Sequence, residues 1–545
     1  MNTCENCGSG FEITDADRTF YEKLQVPAAT FCYPCRQQRR LAWRNERNLY
    51  TRKCDMTGKD IISIYSPEAP FPVYEPDAWF GDGWDGMDYG QDYDFSRPFF
   101  EQWLELFNKV PKMALHVMNL ENSPYVNQVW YAKNCHLCFD LGFSENCLYC
   151  YMTYHCKDTM DCTGARNCEL CYGLMDCTKC YGCVRLQDCG NCYDSFFSYD
   201  CRGCSNVAFC WNLRNKKYHI FNRPVSKEEW NDFMAEMREG SREKFAAYEH
   251  DFKEKVLQEA MHRASHNVNT ENCSGDYILN SQNCNECFDC ADSQDMNKCT
   301  RMDEQGKDCM DIDGSSILEL GYEGSSMAGT NVKFGSMSLY CDDAMYFHTL
   351  QSCSNCFGCA GLKNKKYCIL NKQYTQEKYE AMMPRIIEHM KSTGEWGENF
   401  PAAASPFPYN DSYANERFPM TQEEVLAAGL RWRDKDAHEY KAQTYVVPDR
   451  ISDVADEICG EILACEITGK NFRVIPQELA FYKQFGLPIP QRCPDQRHAD
   501  RFAMRSPYQI VEQACGKCGG GVQSSHPVEN GWKVYCEECY LKEVY

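Results

Sequence analysis

Small and apolar residues along the middle of this chain follow neither the alternation of a strand nor the spacing of a helix. From Asn134 they recur at every third position. Cysteines hold many of these places, and Leu141, Ala165, Leu174, Leu186 and Val207 hold others. A six-residue signature (Asn or Asp, then C-x-x-C, then an aromatic) starts at 134, 146, 167, 176 and 188. It returns as "NCNECF" at 283 and, with Ser in front, as "SCSNCF" at 352. Asn and Asp tolerate left-handed backbone, so they suit tight corners. The neighbouring cysteine then points inward, and the aromatic is placed to stack on its counterpart one coil away. Period three requires very short strands broken by corners, which predicts a solenoid. Cys147, Cys168, Cys189 and Cys210 form one column and Cys162, Cys183 and Cys204 another, giving blocks of 21 residues. One coil per block, with neighbouring coils about 4.8 Å apart, is the expectation.

The second half repeats the first. "CWNLRNKKYHIFNRPVSKEEW" from Cys210 matches "CAGLKNKKYCILNKQYTQEKY" from Cys359 at an offset of 149. The same offset carries Cys135, Cys138, Cys150, Cys192 and Cys204 onto Cys284, Cys287, Cys299, Cys341 and Cys353. Each half runs into a helix. Ser226 with Glu229 reads as a capping box, with a break at Gly240, and Thr375 caps a shorter helix that must kink or end near Pro384. A linker, "NFPAAASPFPYNDS", leads to a last helix at "TQEEVLAAGLRW".

The two ends are also duplicates, matching without a gap from Cys4 to Gly58 and from Cys465 to Gly519 at an offset of 461. Each end holds two knuckle-based modules. In the N-terminal copy the first is complete, with Cys4, Cys7, Cys32 and Cys35; the second keeps only Cys54, with Thr57 at the partner position. In the C-terminal copy the first keeps Cys465 and Cys493, with Thr468 and Gln496 at the partner positions, while the second is complete, with Cys515, Cys518, Cys536 and Cys539. Two C-x-x-C knuckles on opposed hairpins supply the four thiolates that tetrahedral zinc requires, so two structural Zn²⁺ sites are expected. Cys459, Cys465, Cys493 and His498 make a weaker candidate set, and Cys54 reads as a relic.

The predicted fold class is mainly β with α: two duplicated cysteine-rich solenoid halves with capping and linking helices, flanked by zinc-ribbon modules. The expected segments are 1–60 (ribbon, basic helix, degenerate knuckle), 61–112 (acidic aromatic linker with a helix), 113–225 (first solenoid half) and 226–266 (helical). They continue as 267–374 (second half), 375–458 (helix, Pro-rich linker, short helix) and 459–545 (tandem knuckles).

Composition narrows the chemistry. The chain of 545 residues carries 39 cysteines and a net charge of −22. Its start has no basic, apolar leader pattern, and no run approaches eighteen apolar residues, so a cytoplasmic protein with reduced thiols and no membrane contact is expected. Cysteines there mean metal, catalysis or packing. The knuckle-like pairs of residues 176–193 lack the glycine that follows the ribbon knuckles, and their spacing follows the coil. Core packing is the favoured reading, with metal or cluster binding by the ladder as the alternative.

One dense basic run, "RQQRRLAWRNERNLYTRK" from Arg36, would place Arg36, Arg40, Arg44 and Arg47 on one helix face, with Arg39 beside them. That face suits phosphates, with Trp43 to stack on a base; the other reading is pairing with the protein's own acidic surface. The histidines make no H-E-x-x-H, and there is no P-loop, G-x-G-x-x-G after a strand or G-x-S-x-G. Taken together, the ribbons, the "N-C-x-x-C-[FY]" coils, "LRNKKYHIFN", "SPFPYNDSYANERFP" and "VYCEECYLKEVY" resemble a group of cysteine-rich, zinc-ribbon-containing bacterial proteins from candidate phyla. That group has no established function, so the resemblance implies none. The sequence reads as a non-enzymatic zinc-binding scaffold or interaction protein whose partner it does not name. A nucleic-acid- or ribosome-associated factor and a metal-storage or redox protein are the alternatives.

Overall fold

The computed structural model describes residues 1–434 and 440–545; residues 435–439, inside the expected 375–458 segment, lie outside the described residues. The chain forms two compact units. The first comprises Met1–His116, Ser265–Asp434 and Tyr508–Ile510; the second comprises Val117–Ala264, Lys435–Pro507 and Val511–Tyr545. Each pair of terminal modules thus folds with the cysteine-rich half that is distant from it in sequence.

In the second unit, paired residues from Val117 to Ile220 stand 12 positions apart and run parallel, as in Val117↔Val129, Val126↔Cys138, Leu186↔Ser198 and Ala208↔Ile220. Every third residue from Gln128 to Phe221 has positive φ, without a break. Twelve residues therefore make one winding with four left-handed corners. This corrects the 21-residue coil. Both numbers are multiples of three, and the columns at 21 are a repeat of cysteine placement, not of pairing. His136 N donates to Cys147 O at 3.0 Å and Tyr149 N to His136 O at 2.9 Å, so both backbone groups of a residue bond the next winding. Such bonds offset left-handed geometry at corners such as Met152, Lys179 and Phe197, where it costs a non-glycine residue roughly 1–2 kcal/mol.

Corner side chains form ladders of their own. Asn122 Nδ2 donates to Asn134 Oδ1 (2.9 Å), Asn134 to Asn146 (3.0 Å) and Asn146 to Asp158 (2.8 Å). Tyr131, Phe143 and His155 stack in sequence, as do Phe197, Phe209 and Phe221. These stacks fall on corner residues. The residue after each corner points inward: Cys135, Cys138, Leu141, Cys147, Ala165, Leu174, Leu186 and Val207 are fully buried.

The second cysteine-rich half, in the first unit, winds less regularly. Its register is 13 at Gln294↔Lys307 and Thr300↔Asp313, 11 at Leu318↔Gly329 and Gly324↔Gly335, and 12 from Gly329↔Cys341 onward. A register of 11 also occurs at its start, Val268↔Leu279 and Glu271↔Gln282; between Cys284 and Cys359 one residue is inserted and one removed, which preserves the offset of 149 there. Helix Lys227–Met237 begins at Ser226, whose hydroxyl accepts from Glu229 N, and Gly240 (φ 62°) separates it from Arg242–Asp251. Helix Gln376–Ser392 instead continues through Pro384 and is the longer of the two. Tyr379 before the proline and Ile386 and Met390 after it are buried, so packing holds both sides in one helix.

The terminal modules match element for element. Hairpin Asn2–Thr3/Gly10–Phe11 and helices Asp15–Leu24 and Tyr33–Leu41 correspond to Leu463–Ala464/Asn471–Phe472, Pro476–Phe485 and Pro494–Met504. Hairpin Tyr50–Lys53/Asp60–Ser63 and helix Pro76–Phe80 correspond to Val511–Ala514/Gly521–Ser524 and Glu537–Val544. The acidic aromatic stretch lies against the end of the second half, where Gln91 N donates to Leu370 O and Asn371 Nδ2 to Gly86 O.

Candidate metal centres

Cys4 and Cys7 stand at the turn of the first hairpin, where Gly8 takes φ 73°, a conformation that favours glycine. Cys32 is the N-cap of helix Tyr33–Leu41 and Cys35 lies in its first turn. The sequence predicted two opposed hairpins; the structure supplies one hairpin and one helix N-terminus. The change favours the chemistry, because the partial positive charge of a helix start stabilises thiolates. Cys32 N donates to Cys4 Sγ (3.2 Å) and Asn6 Nδ2 to Cys35 Sγ (3.2 Å). The Ser9 hydroxyl and N–H bring Cys7 down to about 6, whereas burial pushes Cys35 up.

The C-terminal set is built alike. Cys515 and Cys518 flank a hairpin turn, Cys536 caps helix Glu537–Val544 and Cys539 lies in its first turn. Cys536 N donates to Cys515 Sγ at 3.3 Å. Burial raises the Cys515 thiol, but the N–H groups of Cys518, Cys536 and Lys517 outweigh it and bring the thiol to about 6. In each set all four sulfurs lie within 4.8 Å of one another. Cys7 and Cys32 are 3.7 Å apart and Cys518 and Cys536 4.0 Å. A tetrahedral ion with metal–sulfur bonds of about 2.3 Å needs sulfur–sulfur edges of about 3.8 Å. Both sets fit a four-thiolate ion.

The duplication extends past Gly58. Glu75 aligns with Cys536 and Ala78 with Cys539, so the second N-terminal module has lost three of four ligands and kept its fold. Glu75 N still donates to Cys54 Sγ at 3.3 Å, as Cys536 N does to Cys515. The helix Pro76–Phe80, at the same offset of 461, was the signal that sequence alignment stopped short of. In the first C-terminal module Thr468 Oγ1 lies 4.0 Å from Cys493 Sγ, and Gln496 turns to Asp500. Cys459 does not join them, and the His498 ring packs against Tyr151 and Phe502. Among the described residues no three of Cys459, Cys465, Cys493 and His498 gather within ligand distance.

The ladder cysteines do not gather either. No group of three ligand atoms within 4.8 Å occurs in the windings among the described residues. Their thiols lie instead against backbone carbonyls two residues back and nine or ten on. Cys177 Sγ is 3.2 Å from Met175 O and 3.5 Å from Leu186 O, and Cys192 Sγ is 3.5 Å from Gly190 O and 3.3 Å from Cys201 O.

The basic run is turned inward. Arg36 Nε donates to Asp311 (2.7 Å), Arg40 Nε to Asp313 (2.9 Å), and Arg39 reaches Glu323 (3.1 Å) and Glu398 (2.7 Å). Arg44, beyond the helix end at Leu41, donates to Asp313 O and pairs with Glu46 (2.8 Å), while half-buried Arg47 acts on Glu416. Arg36, Arg39, Arg40 and Arg44 are buried, and any phosphate would have to displace these carboxylates. The second unit repeats the arrangement: Arg497 and Arg501, equivalent to Arg36 and Arg40, grip Asp161 at 2.9 and 2.6 Å, and Arg505 pairs with Asp176 at 2.8 Å.

Comparison with known proteins adds little. No family model matches the chain, and no curated protein does. One solved structure, described as an acetyltransferase assignment from Desulfovibrio desulfuricans G20, is similar at 9% identity over 49% of this chain and 70% of that one. Its TM-score of 0.12 carries no argument about fold or activity. No helix among the described residues is long and apolar enough to cross a membrane.

Proposed function

We propose that this chain is a cytoplasmic, zinc-stabilised scaffold or interaction protein, built on two cysteine-cored solenoids that carry paired knuckle modules. The observation that supports it most is a division of labour among the cysteines. Eight meet in two sets with tetrahedral thiolate spacing, while the ladder thiols face backbone carbonyls. Zinc is the ion of choice for a closed four-cysteine site with N–H···S support, and such sites contribute folding energy rather than catalysis. A likeness to the candidate-phyla group with zinc ribbons belongs to the same reading. The inward arginines support module docking over nucleic-acid binding. Elemental analysis of anaerobically purified, unsupplemented protein tests the proposal: two zinc atoms per chain are expected. Four or more metal atoms would move the protein to the metal-handling class.

A further inference from the structure

The first unit fills one of its own grooves. Segment Glu395–Phe400 lies between the terminal module and helix Phe99–Lys109. Glu395 accepts from Phe99 N and Phe100 N (2.8 and 2.6 Å), and Glu398 meets Arg39 and the Thr30 hydroxyl (both 2.7 Å). Gly397 N donates to Tyr346 OH (2.9 Å), and Gly397 sits so tightly on Pro27 that an added Cβ would come within 2.1 Å of Pro27 Cγ. Phe400 stacks on Trp103 at 3.8 Å and tilts against Trp43 at 5.5 Å. The space left beside Phe400 is about 10 Å³.

Six of the residues that hold this segment have counterparts in the second unit. The terminal duplication carries Pro27, Thr30, Arg39 and Trp43 onto Pro488, Gln491, Asp500 and Met504. The internal repeat carries Tyr346 back onto Phe197, both corner residues. Trp103 corresponds to Phe252: Lys112 Nζ bonds Phe107 O much as His262 Nε2 meets Leu257 O, and the π-turn Phe252–Val256 puts Phe252, buried like Trp103, one turn before Leu257. All six counterparts line one cleft of about 240 Å³. The second unit has the groove without the segment.

We propose that this cleft is a docking site for an extended acidic–aromatic segment of a partner protein, related in chemistry to Glu395–Phe400. The proposal rests on the scaffold reading and names the surface it would use. Phe197, Phe245 and Tyr172 offer an aromatic wall for a ring such as Phe400. The carboxylates that line the cleft are already paired, Glu249 with Arg185 and both Glu466 and Asp500 with Arg492 (2.8 and 2.6 Å). Lys253, next to Phe252, is exposed at the rim, and Arg242 lines the cleft with its side chain on the Val447 carbonyl at 3.3 Å. An acidic side chain beside the aromatic one meets both cations. Extended peptides with an aromatic anchor and a charge at the rim bind through complementarity of this kind.

The probe is a labelled peptide of residues 393–402, titrated into the full-length, metal-loaded protein at low and high salt. Saturable, salt-weakened binding is expected. It should fall about tenfold on replacing the peptide phenylalanine by alanine and by a similar factor with Lys253→Glu in the protein. Met504→Trp, which restores the indole that Phe400 meets as Trp43 in the first unit, should tighten it. If Met504→Trp does not fold, the exposed Lys253→Glu decides. Absence of binding, or binding that ignores both protein variants, overturns the proposal, since the peptide would then be nonspecific or seated in the first unit. A concentration-dependent dimer abolished by Lys253→Glu would also overturn it, by giving the cleft to a second copy of this chain. Two zinc atoms per chain with no peptide binding would leave the scaffold reading standing and remove only this site.

Discussion

The two units use the same parts with opposite deficits. The first keeps its first metal set and has lost the second; the second has lost its first and kept the second. Neither loss has erased the module. Other buried contacts hold each one. In the metal-poor first module of the second unit, Arg497 joins Asp161, Glu478 and the Tyr482 hydroxyl in a fully buried network, and Tyr149 OH donates to Glu478. In the first unit, the module that kept only Cys54 buries Trp79, whose Nε1 donates to Pro111 O, and Tyr65, which stacks on Phe407. A small module needs metal when its own buried contacts fall short. Where docking onto the windings supplies them, ligands become dispensable.

That comparison breaks most visibly if a complete set loses a ligand. Structural zinc contributes about 10–16 kcal/mol in small metal-folded modules. Cys32→Ser and Cys518→Ser should each lower the metal content from two atoms to one. They should differ in reach. Cys32 caps the helix that carries Arg36 and Arg40, so its loss should expose amide protons through that helix and loosen the first unit's dock. Cys518 lies on a terminal hairpin turn, and its loss should stay within residues 511–545. Hydrogen exchange with metal analysis separates the two; equal, global unfolding in both would show that docking does not localise the damage.

The reverse experiment sharpens it. Thr468→Cys with Gln496→Cys gives Cys465 and Cys493 the two ligands they lack, at positions equivalent to Cys7 and Cys35. Thr468 Oγ1 already stands 4.0 Å from Cys493 Sγ. A third metal atom per chain and a higher melting temperature are expected. A count that stays at two would mean the module has drifted too far from ligand geometry for docking alone to preserve it.

Next in size are the docks. Removing one partner of a buried pair costs about 3–5 kcal/mol, because the other charge is stranded. Arg501→Ala leaves Asp161 with Arg497, whereas Arg40→Ala leaves Asp313 with only Gln37, Thr300 and the more distant charges. Arg40→Ala should therefore sit near the upper end and Arg501→Ala near the lower. Burial pushes Asp313 up, but Arg40 and the Thr300 and Gln37 hydrogen bonds outweigh it and hold the carboxyl below its ordinary value. Its contribution is thus present above the unfolded value of about 3.9 and is lost as pH falls through the lowered one. Acid unfolding of Arg40→Ala should lose part of that pH dependence. Denaturant titration measures the main effect, and equal costs for the two variants would show that the docks are not distinguished by spare cations.

Much of this was legible in the chain. Period three named the buried positions one by one, from Cys135 to Val207, because every inward residue follows a corner. The gathering of the two four-cysteine sets was legible because knuckle spacing is local. The winding length was not, since cysteine columns at 21 masked it, yet a signal was present: Asp176, Asp188, Asp200 and Asn212 are corners exactly one winding apart, as are Asn122, Asn134, Asn146 and Asp158. The fate of the arginines was hidden for another reason. Arg36 and Asp311 are separated by 275 residues, and only the exchange of modules between the halves brings them together.

The smallest effect tests what the windings ask of their cysteines. Cys180 is buried, and its Sγ lies 3.6 Å from Thr178 O and 3.9 Å from Cys189 O, long contacts for a weak donor. Cys180→Ala removes one polarizable atom and leaves no charged group unpaired, so a cost on the order of 1 kcal/mol is expected. The first cysteine-rich half keeps register 12 throughout, and a small local gap gives it no reason to shift. Cys180→Asp should be far worse, because a carboxylate there would face carbonyls and thiols with no cation to meet it. Chemical denaturation of the two variants, with metal counted in each, tests this directly. An unchanged count of two with a small loss for alanine supports packing. A lowered count for Cys180→Ala would mean that the ladder holds metal and that the two kinds of cysteine in this chain are not separate after all.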